Sequence, residues 1–139
     1  MVSSEKVLQK FTLLEEYLQL LQEISKKPKN HFLRDKILIG SAKYYLQVSI
    51  ECCLDVANHI IASESFRAPK NYADAFQVLA EQKILDSELA TRLQQMAKFR
   101  NRLVHLYGEV DDDFVYKALT EDLKDIFEFK KTIVETFKP

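Results

Sequence analysis

"HFLRDKILIGSAKYYLQVSIECCLDVANHIIAS", residues 31–63, decides the fold. Leu38, Ala42, Tyr45, Leu46, Ile50, Cys53, Leu54, Ala57, Ile60 and Ile61 fall on one wide apolar face at helical spacing. Lys36, Lys43, Gln47, Glu51, Asp55 and Asn58 follow the same spacing on a narrower polar stripe. The stretch predicts one long amphipathic helix with most of its girth buried, and Asn30 is a candidate cap.

Working outward, residues 3–26 predict a first helix. Leu8, Phe11, Leu14, Leu18, Leu21 and Ile24 recur at steps of three or four, Ser3 or Ser4 can cap the start, and Pro28 lies past the end. Residues 63–71 read as a loop broken at Pro69, followed by a short helix over 72–82 that Asn71 can cap. Asp86 is placed to cap a helix over 87–107, with Leu89, Leu93, Met96, Phe99 and Leu103 on its apolar line and Gly108 at its end. "DDD" at 111–113 suits the start of a fifth helix, whose buried line is Val115, Leu119, Leu123, Ile126, Ile133 and Phe137. Two glycines and three prolines in 139 residues fit long helices with few tight turns. No segment alternates at the strand period. The expected architecture is an all-α antiparallel bundle of four to five helices, one domain over residues 1–139.

Charge excludes some functions. The formal net charge is −1, so bulk electrostatics do not mark a constitutive nucleic-acid binder, and any anion site must be local. No apolar run approaches the roughly 18 residues of a membrane span, and the first residues lack a signal pattern. Cys52 and Cys53 are neighbours whose side chains diverge on a helix, which points to reduced thiols and a cytoplasmic protein. Cys52, Cys53 and His59 lack a zinc spacing, so neither metal nor cofactor is expected. His31 and His59 have no convergent partners in the sequence and read as surface residues.

Positive charge concentrates at one place. Residues 91–108 carry Arg92, Lys98, Arg100 and Arg102 and no acid, with His105 and Tyr107 close behind. Cations favour a helix C-terminus without any ligand, so charge alone leaves a plain helix end and an anion site both open. Geometry narrows the question. Asn101 and His105, four apart, share a helix face. Arg100 and His105, five apart, stand about 140° from each other on a regular helix. A second copy of the helix in a two-fold dimer can bring two arginines and two histidines around one groove.

"RNRLVHLY", residues 100–107, resembles the R-x4-H-x-Y signature of the HepT family in the HEPN ribonuclease superfamily, matching at Arg100, His105 and Tyr107. Asn101 matches the polar residue that follows the arginine in that signature. "AKYYLQVSIECCLDVANHIIA" (42–62) is similar to the family's second helix. "APKNYADAFQVLAEQKIL" (68–85) is similar to its P-x-x-Y-x-D-x-F segment, and "VDDDFVYKAL" (110–119) to its acidic turn. The resemblance implies an all-helical homodimer, the toxin of a toxin–antitoxin pair, that cleaves RNA without metal. It implies an MntA-like nucleotidyltransferase antitoxin that transfers AMP to Tyr107.

Such chemistry needs a base for the 2′-hydroxyl, a cation for the developing charge and an acid for the leaving oxygen. Arg100 and His105 are the candidate catalytic residues. Asn101, Arg102 and Tyr107 are candidates for binding or orienting substrate, and Glu51 and Asp55 for supporting the cations or the histidine. The alternative is a non-catalytic helical module that binds a nucleotide or a nucleotidyltransferase partner in the same groove.

Overall fold

The computed structural model describes residues 1–105 and 110–138. Among these residues the chain is helical with no strand. The elements are α1 (Ser4–Ser25), α2 (Lys29–Arg34), α3 (Lys36–Ser63), α4 (Asp74–Glu81), α5 (Ser87–His105), α6 (Asp112–Lys117), a π turn (Ala118–Asp122) and α7 (Leu123–Phe137).

Local chemistry accounts for most of the boundaries. Ser3 accepts from the Lys6 amide to start α1. Asn71 accepts from the Asp74 amide (2.9 Å) ahead of α4, Asp86 from the Leu89 amide (2.8 Å) ahead of α5, and Asp111 from the Asp113 amide (2.9 Å) ahead of α6. Each bond satisfies a donor that the first helical turn leaves free. The expected end of α5 at 107 and the role of Gly108 lie outside the described residues.

Two expectations need correction. The helix predicted over 31–63 is two helices, broken at Asp35, and Asn30 does not cap it. Asp35 has an extended backbone and accepts from the Leu38 amide (3.0 Å), so it caps α3. The break lets α2 turn Phe32 fully into the core, against Tyr116 of α6 (ring centroids 5.3 Å apart). The Tyr116 hydroxyl in turn donates to the Lys27 carbonyl. In α1 the buried line begins at Val7, and Leu8 is exposed. Steps of four and of three both fit Phe11, and packing selected the first.

The core is one contiguous cluster. α1 and α3 pack along their length, and α4, α5 and α7 close around the far side of α3. Phe11, Phe76 and Phe129 meet edge-on at its centre, at centroid distances of 6.5 and 5.7 Å. Cys52 and Cys53 are free and buried. Burial pushes the Cys52 thiol up to about 11, and the Cys53 thiol further, so both stay protonated. The π turn widens one turn of the last helix, so that Ala118, Leu119 and Leu123 all face the core. The fold therefore sets the last turns of α5 beside the middle of α3, which is where the polar stripe runs.

Candidate active site

The site begins on α3. Gln47 Nε2 donates to Glu51 Oε1 (3.1 Å), one helical turn on. The same Glu51 oxygen accepts from Nε and Nη2 of Arg100 on α5, at 3.1 and 2.8 Å. Nη1 of Arg100 donates to Oδ1 of its neighbour Asn101 (3.1 Å). A single edge of the guanidinium is thus fixed by one carboxylate, and the other side by an amide.

Covering completes the arrangement. Tyr72, in the loop before α4, lays its ring on the guanidinium, with Cζ 5.1 Å from the ring centroid. The Arg100 side chain is 14 % exposed and Glu51 is 32 % exposed. Loss of water strengthens both the ion pair and the π contact. Among the described residues these bonds use three of the five guanidinium N–H groups, so two are left for an anion.

The loop that carries Tyr72 is tied down. Arg67 donates to both oxygens of Asp74 (2.7 and 3.0 Å) and to both oxygens of Glu81 (2.8 and 2.8 Å). The Lys70 amide adds a bond to Asp74 (2.9 Å). The Arg67 guanidinium and that amide hold the Asp74 carboxyl down at about 2.

Not every residue expected at the site belongs to it. Asp55 pairs with Lys10 of α1 (2.9 Å) and supports neither Arg100 nor His105. Each four-residue step along a helix advances about 6 Å and turns about 40°, which carries Asp55 away from α5. Arg92 leaves the cationic group as well, since it is bonded to the buried Asp125 of α7 (2.9 Å). Asn101 engages Arg100 through Oδ1. Arg102 is exposed near the end of α5, and His105, also exposed, is the last described residue of that helix. α5 is regular from Arg100 to His105, so both keep the divergent bearings that ideal geometry requires. Tyr107 lies outside the described residues.

Sequence reasoning missed three features. Tyr72 was only part of a family-like segment, and the Arg67 clasp was not seen, because both depend on a loop folding back onto α4 and α5. His59 is not a lone surface residue. Its Nε2 accepts the Ser3 amide at the start of α1 (2.9 Å), and burial, Lys6 and the chain's N-terminal ammonium lower its pKa.

Comparison with known proteins shows the family and the fold. A family model described as ribonuclease HepT-like matches residues 14–133. The mRNA nuclease HepT of Shewanella oneidensis is 32% identical over 100 residues, covering 72% of this chain and 75% of that protein. A solved structure of a tri-AMPylated Shewanella oneidensis HEPN toxin in complex with MNT antitoxin superposes with a TM-score of 0.89 at 26% identity, covering 96% of this chain and 99% of that one. The cytosolic protein YutE of Bacillus subtilis, of unknown function, shares the fold with a TM-score of 0.84 at 22% identity, over 99% of this chain and 95% of its own. Among the described residues no helix is long and apolar enough to cross a membrane. A family match that spans the core helices and includes Arg100 and His105 makes this chain an enzyme of the HepT-like ribonuclease family.

Proposed function

We propose that the chain is the toxin of a toxin–antitoxin pair, acting in the cytoplasm as one domain over residues 1–139. It cleaves RNA without metal in a groove shared by two copies. The observation that carries this reading is Arg100. Its guanidinium is oriented by Glu51 and Asn101, shielded by Tyr72, and, among the described residues, left with two N–H donors. A cation so held can take two phosphate oxygens without first being ordered, which is the condition for stabilising developing charge.

The reaction that fits is internal transesterification. One copy of His105 removes the proton of the 2′-hydroxyl, and the 2′-oxygen bonds to phosphorus. Arg100 neutralises the equatorial oxygens. The bond from phosphorus to the 5′-oxygen breaks, and the second copy of His105 supplies the proton to that oxygen. The products are a 2′,3′-cyclic phosphate and a 5′-hydroxyl, and no water is consumed. Arg102, exposed on the same helix end, adds charge for the flanking backbone. The divergent bearings of Arg100 and His105 on a regular α5 support the pairing of two copies.

The antitoxin of this reading is an MntA-like nucleotidyltransferase that transfers AMP to Tyr107. An added nucleotide two residues after His105 places bulk and negative charge where RNA must lie. Support comes from the AMPylated Shewanella toxin, which shares this fold.

The test is cleavage of RNA in EDTA by the wild type, Arg100→Ala and His105→Ala. Activity only in the wild type, with products ending in cyclic or 3′-phosphate, is the expected result. Products with 3′-hydroxyl ends would exclude the 2′-hydroxyl route, and activity retained by both variants would remove their assigned roles. Coexpression with the nucleotidyltransferase should add the mass of one or more AMP units at Tyr107.

A further inference from the structure

We propose that Tyr72 forms a nucleobase-stacking subsite, with its ring sandwiched between Arg100 and a base next to the scissile phosphate. This rests on the ribonuclease reading above and adds a substrate contact to it.

Three observations carry the inference. First, one face of the Tyr72 ring is occupied by the Arg100 guanidinium, yet the residue is still 51% exposed. Half of the residue's surface is therefore still accessible after that contact, which is room for a second planar group. Second, the ring is held in place. Arg67 clasps Asp74 and Glu81, Asn71 accepts the Asp74 amide, and the Tyr72 carbonyl accepts the Ala75 amide (3.2 Å), so the residues flanking Tyr72 are tied to α4. A stacking surface fixed in advance spends little binding energy on ordering. Third, the covered face lies on the cation that, among the described residues, has donors left for phosphate. A nucleotide places its base within reach of its own phosphate, so a phosphate on Arg100 brings a base to the neighbouring ring.

Electronics favour the same stack. The guanidinium draws electron density toward one face of the phenol, and aromatic stacking on the other tolerates any base. The subsite therefore contributes affinity for single-stranded RNA, in which bases are free to splay out, with little preference for sequence.

The experiment pairs protein and substrate changes. A cleavable single-stranded oligoribonucleotide is prepared as a set in which each nucleotide in turn is abasic. kcat/KM is then measured for the wild type, Tyr72→Phe and Tyr72→Leu. Tyr72→Phe keeps the ring and should cleave within about twofold of the wild type. Tyr72→Leu should lose about tenfold or more on intact RNA, chiefly through KM. At one position the abasic substrate should cost the wild type a similar factor, and Tyr72→Leu should cost nothing further there. If Tyr72→Leu instead loses the same factor on every abasic substrate, the ring serves only Arg100 and the subsite is overturned. If Tyr72→Leu matches the wild type on intact RNA, it is overturned as well. Should the wild type cut none of the oligonucleotides, nor any other RNA, the ribonuclease reading fails and takes the subsite with it. Circular dichroism melts of the three proteins separate a folding defect from lost binding, because Tyr72→Phe reports on the same loop.

Discussion

Two arginines of this chain are held by acidic side chains, and they are built differently. Arg67 spends four N–H bonds on two carboxylates, Asp74 and Glu81, each gripped through both oxygens. Arg100 spends two on a single oxygen of Glu51 and one on an amide. Local charge follows the same division. The first cluster sums to −1 and attracts no anion. The second is neutral at its centre, on a helix that also carries Lys98, Arg102 and His105. A guanidinium with four of its five N–H groups spent on two carboxylates is a clasp, while one that, among the described residues, is held by three bonds and a single carboxylate oxygen is a site. Exposure alone ranks them the wrong way, since the side chain of Arg67 is 38% exposed and that of Arg100 only 14%.

The largest effect is expected from breaking the site at Arg100. Arg100→Ala should lower kcat for RNA cleavage by about a hundredfold or more, the range seen when a donor to a developing oxyanion is removed. Arg100→Lys sharpens the contrast. It restores charge, but a single ammonium cannot bond Glu51 and two phosphate oxygens in one plane, so most of the loss should persist. The measurement is single-turnover cleavage in EDTA, and full rescue by lysine would show that charge, rather than the fork, is what counts.

Glu51→Gln should come next. The amide oxygen can still accept from Arg100, so orientation is partly kept, but the neutralising charge is gone. Arg100 then holds phosphate more tightly and is aimed less well, which predicts an unchanged or lower KM with a fall in kcat of about tenfold. Stability should drop by about 1 kcal/mol for a partly exposed pair. A variant with raised KM and unchanged kcat would place Glu51 in substrate binding rather than in aiming Arg100.

These side chains also mark how far the sequence could be read. Arg100 and His105 stood out through the resemblance of residues 100–107 to the HepT signature, while Glu51 and the caps at Asp86 and Asp111 could be read from helical spacing and local chemistry. The break at Asp35 was hidden. Residues 31–63 are periodic on both sides of it, and what stops the helix is the burial of Phe32 against Tyr116, more than eighty residues further on. Asp55 fitted the same stripe as Glu51, yet its partner, Lys10, belongs to α1. Tyr72 carried no periodic signal, since its position depends on a clasp formed by residues on both sides of a loop. Period and capping were legible, and contacts between distant segments were not.

Arg67→Ala tests the clasp. It should lower Tm and leave kcat near the wild-type value, because the loop loosens while Glu51 and Asn101 still hold Arg100. Some rise in KM is expected if the loosened loop lets Tyr72 drift from Arg100. A fall in kcat as deep as that of Arg100→Ala would erase the distinction between clasp and site. The clasp should also be insensitive to mild acid. The carboxyl of Asp74 is held well below its ordinary value, so its stabilisation is complete above about pH 4 and fades only as pH falls toward 2.

The histidines repeat the contrast at lower stakes. His59 is engaged, accepting the Ser3 amide through Nε2, and His105 is exposed at the end of α5. Burial first, then Lys6 and the N-terminal ammonium, lower the folded pKa of His59 below its ordinary 6.5. Between those two values the unfolded chain binds the proton and the folded chain does not, so acid favours unfolding. The contribution of His59 is complete above about pH 6.5, is lost as pH falls through the window below it, and changes no further once the folded pKa is passed. Asp74 is still ionised throughout that window, so a decline in Tm there is not the clasp failing. His59→Gln keeps an acceptor for the Ser3 amide and cannot titrate. Its Tm should fall less than that of the wild type between pH 7.5 and 5, with cleavage at pH 7.5 unchanged. Parallel slopes for the two proteins would mean that the proton goes elsewhere and that the start of α1 is not sensitive to pH.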